Sequence, residues 1–346
     1  MEGGLPRLYM ASPELLDIVC CSLCRGVLEP ATSGAAVVCT QCGEQYREKQ
    51  GILDLNPEPS PSAQSEMAGH RILESQWIDT VPEALRPLVV DEAGEELLFS
   101  LPVLPHPELV QVPSLSRMNE NAADFFELLD WMDIEPDEVI LEIGAHMGWA
   151  SHQLAERGAY VIASDISHQL AMTETFVKRG VRMERIHADM MDLPVQDGVL
   201  DTVFGVSVIH HANDLEQLFC TCARALKPGG RCVFFSEPVV GLHDEQRKAE
   251  FGAEEKEVGI QEHIYSIVDY VSAAKAAGLI PEVLPLSSVL RDANRRYRLL
   301  RAAWLGLLKT KVGYTGLFTC HIYPFLLRLY PRIPFPHMAL ICTKPM

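Results

Sequence analysis

The sequence predicts an α/β protein, with helices covering a mostly parallel sheet, preceded by a small cysteine-rich module. Two patterns carry that prediction. Between residues 119 and 285, short apolar runs suited to buried strands alternate with helical stretches, the order expected of successive βαβ units. Ahead of them, residues 21–42 hold two Cys-x2-Cys pairs separated by fourteen residues.

The cysteine module comes first in the chain. Two residues between thiols let a tight turn aim both sulfurs at one ion, and two such turns complete the tetrahedron that Zn²⁺ prefers. Cys21, Cys24, Cys39 and Cys42 are therefore the expected ligands of a structural Zn²⁺, with Cys21 preferred to its neighbour Cys20 because it keeps the spacing symmetric. The run Gly34-Ala-Ala-Val-Val-Cys39 reads as a strand entering the second turn, and Gly43 eases the exit. So small a module buries little core, so metal would supply much of its folding free energy. The stretch Leu16–Cys24 and the closing Gly51–Pro57 resemble the small zinc-ribbon family that activates tRNA and protein methyltransferases. That resemblance implies that the ribbon supports a catalytic partner.

Asn56-Pro-Glu-Pro-Ser-Pro-Ser62 is Pro/Ser-rich and marks the boundary of a ribbon spanning residues 1–56. Residues 57–118 read as linker and helical lead-in, punctuated by prolines and without a motif of their own. From 119 to 346 the pattern is that of one domain. Expected strands are Val139–Ile143, Tyr160–Ser164, Met183–His187, Thr202–Val206, Cys232–Ser236, Glu282–Leu284 and His337–Thr343. Expected helices include Ala122–Met132, Ala150–Arg157 and Leu215–Leu226, the last stopped by the turn chemistry of Lys227-Pro-Gly-Gly230.

The first of these strands runs into Glu142-Ile-Gly144-Ala145-His146-Met-Gly148 and then a helix. Glycines there let the backbone approach a ligand, and a helix N-terminus favours a carboxylate. The spacing Glu-x-Gly-x-x-x-Gly differs from the Gly-x-Gly-x-x-Gly that cradles a dinucleotide pyrophosphate. Asp165, at the end of the second strand, is placed to accept from a ribose diol. Asp189, after the third, is placed to accept from an adenine amino group.

Together with Leu200–His211 and Arg224–Gly230, these segments resemble the successive motifs of class I S-adenosylmethionine-dependent methyltransferases. The resemblance implies a Rossmann-like, seven-stranded methyltransferase sheet whose last strand is antiparallel. It also implies S-adenosylmethionine contacts from Glu142, Gly144, Ala145, His146, Gly148, Asp165, Ile166, Asp189, Met190 and Val206. Methyl transfer is an in-line displacement, so such an enzyme aligns the acceptor and removes its proton where it has one. Candidate proton acceptors beyond the strand ends are His210, His211, Glu237, His263 and Tyr265.

Charge shapes the acceptor reading. The formal net charge is −18, but from Leu286 onward ten basic residues face one acid, leaving +9 there and −27 elsewhere. About fifty residues, roughly 287–336, separate the last two expected strands and would overhang the strand ends. Within them, Arg295–Leu308 fits an amphipathic basic helix, and aromatic residues follow. A basic, aromatic cap suits a small, anionic or amphiphilic acceptor. RNA is the second reading, opposed by the acidic body, and a non-catalytic scaffold of the same fold is the third. No secretory pattern stands at the N-terminus, the longest uncharged apolar run (Val312–Leu327) is only 16 residues, and the cysteines look like reduced thiols. A cytoplasmic protein without a transmembrane segment is expected.

Overall fold

The computed structural model describes residues 11–31, 36–240, 245–284, 286 and 338–346. The strands are β1 (Leu28–Pro30), β2 (Ala36–Cys39), β3 (Gln45–Lys49), β4 (Ile52–Asp54), β5 (Val139–Ile143), β6 (Tyr160–Asp165), β7 (Met183–His187), β8 (Leu200–Val206), β9 (Leu226–Glu237), β10 (Ile280–Leu284) and β11 (Met338–Thr343). The helices are α1 (Pro13–Leu16), α2 (Pro61–Thr80), α3 (Asp91–Ser100), α4 (Pro113–Met132), α5 (Trp149–Ala155), α6 (Glu174–Lys178), α7 (Leu215–Ala225), α8 (Glu245–Glu250), α9 (Ala253–Glu257) and α10 (Ile267–Ala276).

Among the described residues, eleven strands form one mixed sheet in the order β1-β2-β3-β4-β7-β6-β5-β8-β9-β11-β10. Strands β5 to β9 pair in parallel, and β11 runs antiparallel to both neighbours. The sheet thus exceeds the expected seven strands, because the cysteine module adds its own four to the edge. β4 pairs in parallel with β7 through Leu53–Ile186 and Asp54–His187. A second backbone seam runs along residues 18–20: Cys20 N donates to Pro194 O at 2.9 Å and Gln196 N to Ile18 O at 2.8 Å. Apolar side chains of the module (Leu15, Val19, Leu28, Tyr46, Leu53) share one core with Ile186, Leu193 and Val195.

Strands such as Val-Ile-Leu-Glu-Ile carry near-continuous apolar runs because both faces of a parallel sheet are covered. On one face α7 contributes Leu218, Phe219 and Cys222; on the other, α4 packs Phe125, Leu128, Leu129 and Met132 against Ile140, Val161 and Phe235. Two segments differ from the sequence expectation. α7 does stop at Ala225, but β9 begins at once, and a register shift between the Leu200–Leu226 and Thr202–Arg231 pairs absorbs Lys227–Gly230. Sheet hydrogen bonds thus hold residues that local turn chemistry alone marks as a loop. The segment without a motif also yields a twenty-residue helix, α2, whose first turn is capped by Ser60 Oγ accepting from Ala63 N at 3.1 Å. Its apolar residues show no stripe because much of the face it buries is polar. The basic insertion, including Arg295, Arg296 and Arg298, lies outside the described residues. No helix among the described residues is long and apolar enough to cross a membrane.

Candidate functional site

The four cysteines of the module converge. Cys21 Sγ lies 3.6 Å from Cys42 Sγ, and Cys24 Sγ 3.4 Å from Cys39 Sγ; all four sulfurs fall within 4.8 Å of one another. Tetrahedral Zn–S bonds of about 2.3 Å set the sulfurs about 3.8 Å apart, so the donor set fits that ion. The Tyr46 hydroxyl sits 2.9 Å from Cys21 Sγ and accepts from Ser22 N at 3.0 Å, fixing the first turn. Cys20 is buried outside the cluster.

A second candidate region is the rim formed by the C-terminal ends of the parallel strands. After β5 the chain bends through Gly144 (φ 65°), His146 (φ 50°) and Gly148 (φ 77°). A Cβ on Gly144 would lie 2.2 Å from Val208 Cγ2, and one on Gly148 2.4 Å from Thr173 Cγ2. The glycines thus answer to the chain's own packing as well as to backbone conformation. Asp165, at the end of β6, ties the loops together: its Oδ2 accepts from His146 N and its Oδ1 from Ser167 N, each at 2.6 Å. Ala145 is buried, its N–H donating to Ser164 O at 3.0 Å. Glu142 lies inside the protein, where Ser151 Oγ donates to it; burial, reinforced by Asp165, pushes its carboxyl up to about 8. Asp189, beyond β7, accepts from Met191 N at 2.9 Å, and burial pushes its carboxyl up. Ile166, Met190 and Val206 are half-buried around these carboxylates. Acceptors at adjacent strand ends, beside apolar surface, are a donor–acceptor set that fits a nucleoside's hydroxyl and amino groups.

The expected proton acceptors separate into two groups. Glu237 is buried at the end of β9, accepting from Val208 N, Ile209 N and His210 N, with His210 Nδ1 at 2.9 Å. It anchors the loop after β8. Tyr265 donates to Ala212 O at 2.6 Å, and burial pushes its phenol up to about 12. His263 Nε2 meets Asn213 Oδ1 at 3.0 Å; burial, helped by Lys256, pushes its imidazole down. His210 and His211 instead lie 4.2 Å apart between ring centroids, tilted by 38°, and both approach Glu262, at 3.5 and 3.9 Å.

Three functional candidates on α2 and one in the segment before α10 escaped the sequence reading. Glu66, His70 and Glu74 recur every four residues, which places them on one face of α2. Glu66 Oε1 lies 3.0 Å from His211 Nδ1 and 3.5 Å from His70 Nε2, while its Oε2 accepts from Gln261 N at 2.6 Å. Burial opposes ionisation of Glu66, but His211 and His70 outweigh it and hold the carboxyl at about 2. Burial likewise opposes charge on His211, and Glu66 with Glu262 reverses it, lifting the imidazole to about 9. Glu74 accepts from Ser167 Oγ at 3.2 Å and meets His168 Nε2 at 2.9 Å and His146 Nε2 at 3.7 Å. Thus α2 bridges the glycine loop and the loop after β8. Polar periodicity along α2 was the available signal. Glu262, next to the expected candidate His263, carried none.

Residues 141–234 match a family model described as a methyltransferase domain, and they contain the glycine loop, Asp165, Asp189 and the paired histidines. The chain is 39% identical over 112 residues to a demethylmenaquinone methyltransferase of Clavibacter sepedonicus, covering 30% of this chain and 44% of that protein. It is 30% identical over 103 residues to phosphoethanolamine N-methyltransferase 2 of Caenorhabditis elegans, covering 29% of this chain and 24% of that protein. Each match therefore spans less than half of the relative's length. Among solved structures, it resembles a Haemonchus contortus phosphoethanolamine N-methyltransferase 2 bound to phosphomonomethylethanolamine and S-adenosylhomocysteine. That likeness has a TM-score of 0.43 and 21% identity, over 64% of this chain and 52% of the other.

Proposed function

We propose that the chain is an S-adenosylmethionine-dependent methyltransferase acting on a small, lipid-like or anionic metabolite. One observation carries this reading: the segment matching the methyltransferase domain brings Asp165 and Asp189 to adjacent strand ends beside a glycine-bent loop. When bound, the cofactor supplies an electrophilic methyl group. Asp165, already oriented by two amides, accepts from a ribose diol on its remaining lone pairs; Asp189 accepts from the adenine amino group. The polar face of α2 reaches this rim through Glu74, which meets Ser167 and His146. His210, His211 and Glu262 form the group that receives the acceptor, since the Nε2 atoms of both rings face the Glu262 carboxylate. Relatives named for menaquinone-precursor and phosphoethanolamine methylation support a small acceptor.

Zn²⁺ on Cys21, Cys24, Cys39 and Cys42 has a structural part in the same reading, holding the edge strands that extend the sheet. A cytoplasmic location fits the free thiols of the described cysteines.

The test is transfer of radiolabelled methyl from S-adenosylmethionine into separated organic-soluble, RNA and protein fractions of a cell extract, using the full chain. Label should enter the organic-soluble fraction. Asp189→Ala should weaken cofactor affinity about tenfold, the worth of a hydrogen bond to a charged group. Nuclease-sensitive label, or none in any fraction, would overturn the proposal.

A further inference from the structure

We infer that His210, His211 and Glu262 bind a divalent transition-metal ion, at a second centre separate from the four cysteines. One ligand atom from each of the three falls within 4.8 Å of the others. The tautomers are what make this more than a polar cluster. His210 Nδ1 faces only acceptor oxygen, Glu237 Oε2 at 2.9 Å. His211 Nδ1 likewise faces Gln261 O at 2.7 Å and Glu66 Oε1 at 3.0 Å. An acceptor beside Nδ1 keeps a proton there, so the nitrogen each ring can give to a metal is Nε2, which His211 frees by releasing its second proton as the ion binds.

Both Nε2 atoms then meet the Glu262 carboxylate, His210 Nε2 at 3.5 Å from Oε2 and His211 Nε2 at 3.9 Å from Oε1. The two Nε2 atoms and one carboxylate face a common space, an arrangement that a divalent cation satisfies as it displaces the Nε2 proton of His211. The partners of the other ring nitrogens match what metal-binding histidines require, a carboxylate or carbonyl accepting from the far N–H to fix ring orientation and raise basicity. Burial favours the same outcome: the three side chains are 8%, 19% and 12% exposed, beside two further carboxylates, Glu66 and Glu237. A cation relieves that accumulation of negative charge.

Two nitrogens and one oxygen suit Mn²⁺, Fe²⁺, Co²⁺ or Zn²⁺ better than Mg²⁺ or Ca²⁺, and three protein ligands leave positions open. The centre adjoins the glycine loop, since Val208, in the same turn, is the residue a Cβ on Gly144 would strike. Binding of the metal stands without the methyltransferase reading; its use rests on that reading, in which an anionic oxygen of the acceptor takes an open position.

The experiment titrates Co²⁺ into the full chain after its cysteine site has been saturated with Zn²⁺, following stoichiometry by calorimetry and ligand type by visible absorption. One further equivalent is expected, with weak d–d bands and no thiolate charge transfer. Glu262→Gln, which keeps side-chain size but loses charge, should weaken it at least about 100-fold. Glu66→Gln, which meets the ligand set at the far nitrogen of His211 and at the Gln261 amide beside Glu262, should weaken it about tenfold, the usual cost of removing an outer partner. No further equivalent, thiolate charge transfer alone, or affinity changed less than tenfold in Glu262→Gln would each overturn the site. Methyl transfer is not among the readouts, so failure here is distinguishable from failure of the methyltransferase reading.

Discussion

The four-cysteine centre and the histidine–glutamate centre hold similar numbers of side chains in similarly small volumes, yet they are built in opposite ways. The cysteines come from two turns separated by fourteen residues, so local chain geometry brings them together. Glu66, His210, His211 and Glu262 come from α2, the turn after β8 and the segment before α10, and nothing local relates them. The first centre is therefore coupled to the stability of one small module, the second to the packing of three distant elements.

Removing metal from the first centre should have the largest effect. Chelation, or Cys39→Ser, should unfold the module, because structural zinc can contribute on the order of 10 kcal/mol of apparent folding free energy. Hydrogen exchange would then rise not only in β1–β4 but also at β7, whose edge β4 covers; protection confined to its former level at β7 would mean that the seam is not cooperative. Next in size, Leu53→Ala, at a fully buried position in that seam, should cost about 3 kcal/mol in denaturant unfolding, the usual toll of a buried leucine truncated to alanine. A single shifted transition is expected; two separate transitions would mean that the module unfolds alone.

In the second centre, Glu66→Ala removes the acceptor for His211 and for Gln261 N together. Breaking such a buried pair should cost about 3 kcal/mol, measured by chemical unfolding, and faster exchange should appear in α2. A pH-dependent effect is expected at Glu142. Its folded carboxyl stands up at about 8, chiefly through burial and then Asp165, against 4.5 for the free group. Between those values the folded state holds a proton that the unfolded state has released, so stability falls as pH rises from about 4.5 toward 8. Glu142→Gln should flatten that slope and raise the melting temperature at pH 8 more than at pH 5. An unchanged slope would mean that Glu142 is ionised in place.

Much of the sheet was legible because each parallel strand is a run of apolar residues long enough to be buried on both faces. Val139–Ile143 and Met183–His187 coincide with β5 and β7. Lys227–Gly230 was not legible as strand, since its pairing depends on β8 and its register shift. Asp165 was visible as a strand-end carboxylate, but its binding of the His146 and Ser167 amides was not. The positive φ of Ser207 and Ser236, at 53° and 63° beside the rim, also had no signal, because nothing in a serine announces that conformation.

By itself, the sequence determined the cysteine spacing, the βαβ alternation and the glycine-bent loop after the first long strand, all of which arise within a few residues and from local chain geometry. Only the tertiary structure decided that β4 joins the main sheet, that α2 turns Glu66, His70 and Glu74 toward the rim, and that Glu262 meets two histidines fifty residues away. Those contacts exist because edge strands need hydrogen-bond partners and buried charges need compensation. Such needs are met by whichever part of the folded chain lies near, whatever its place in the sequence.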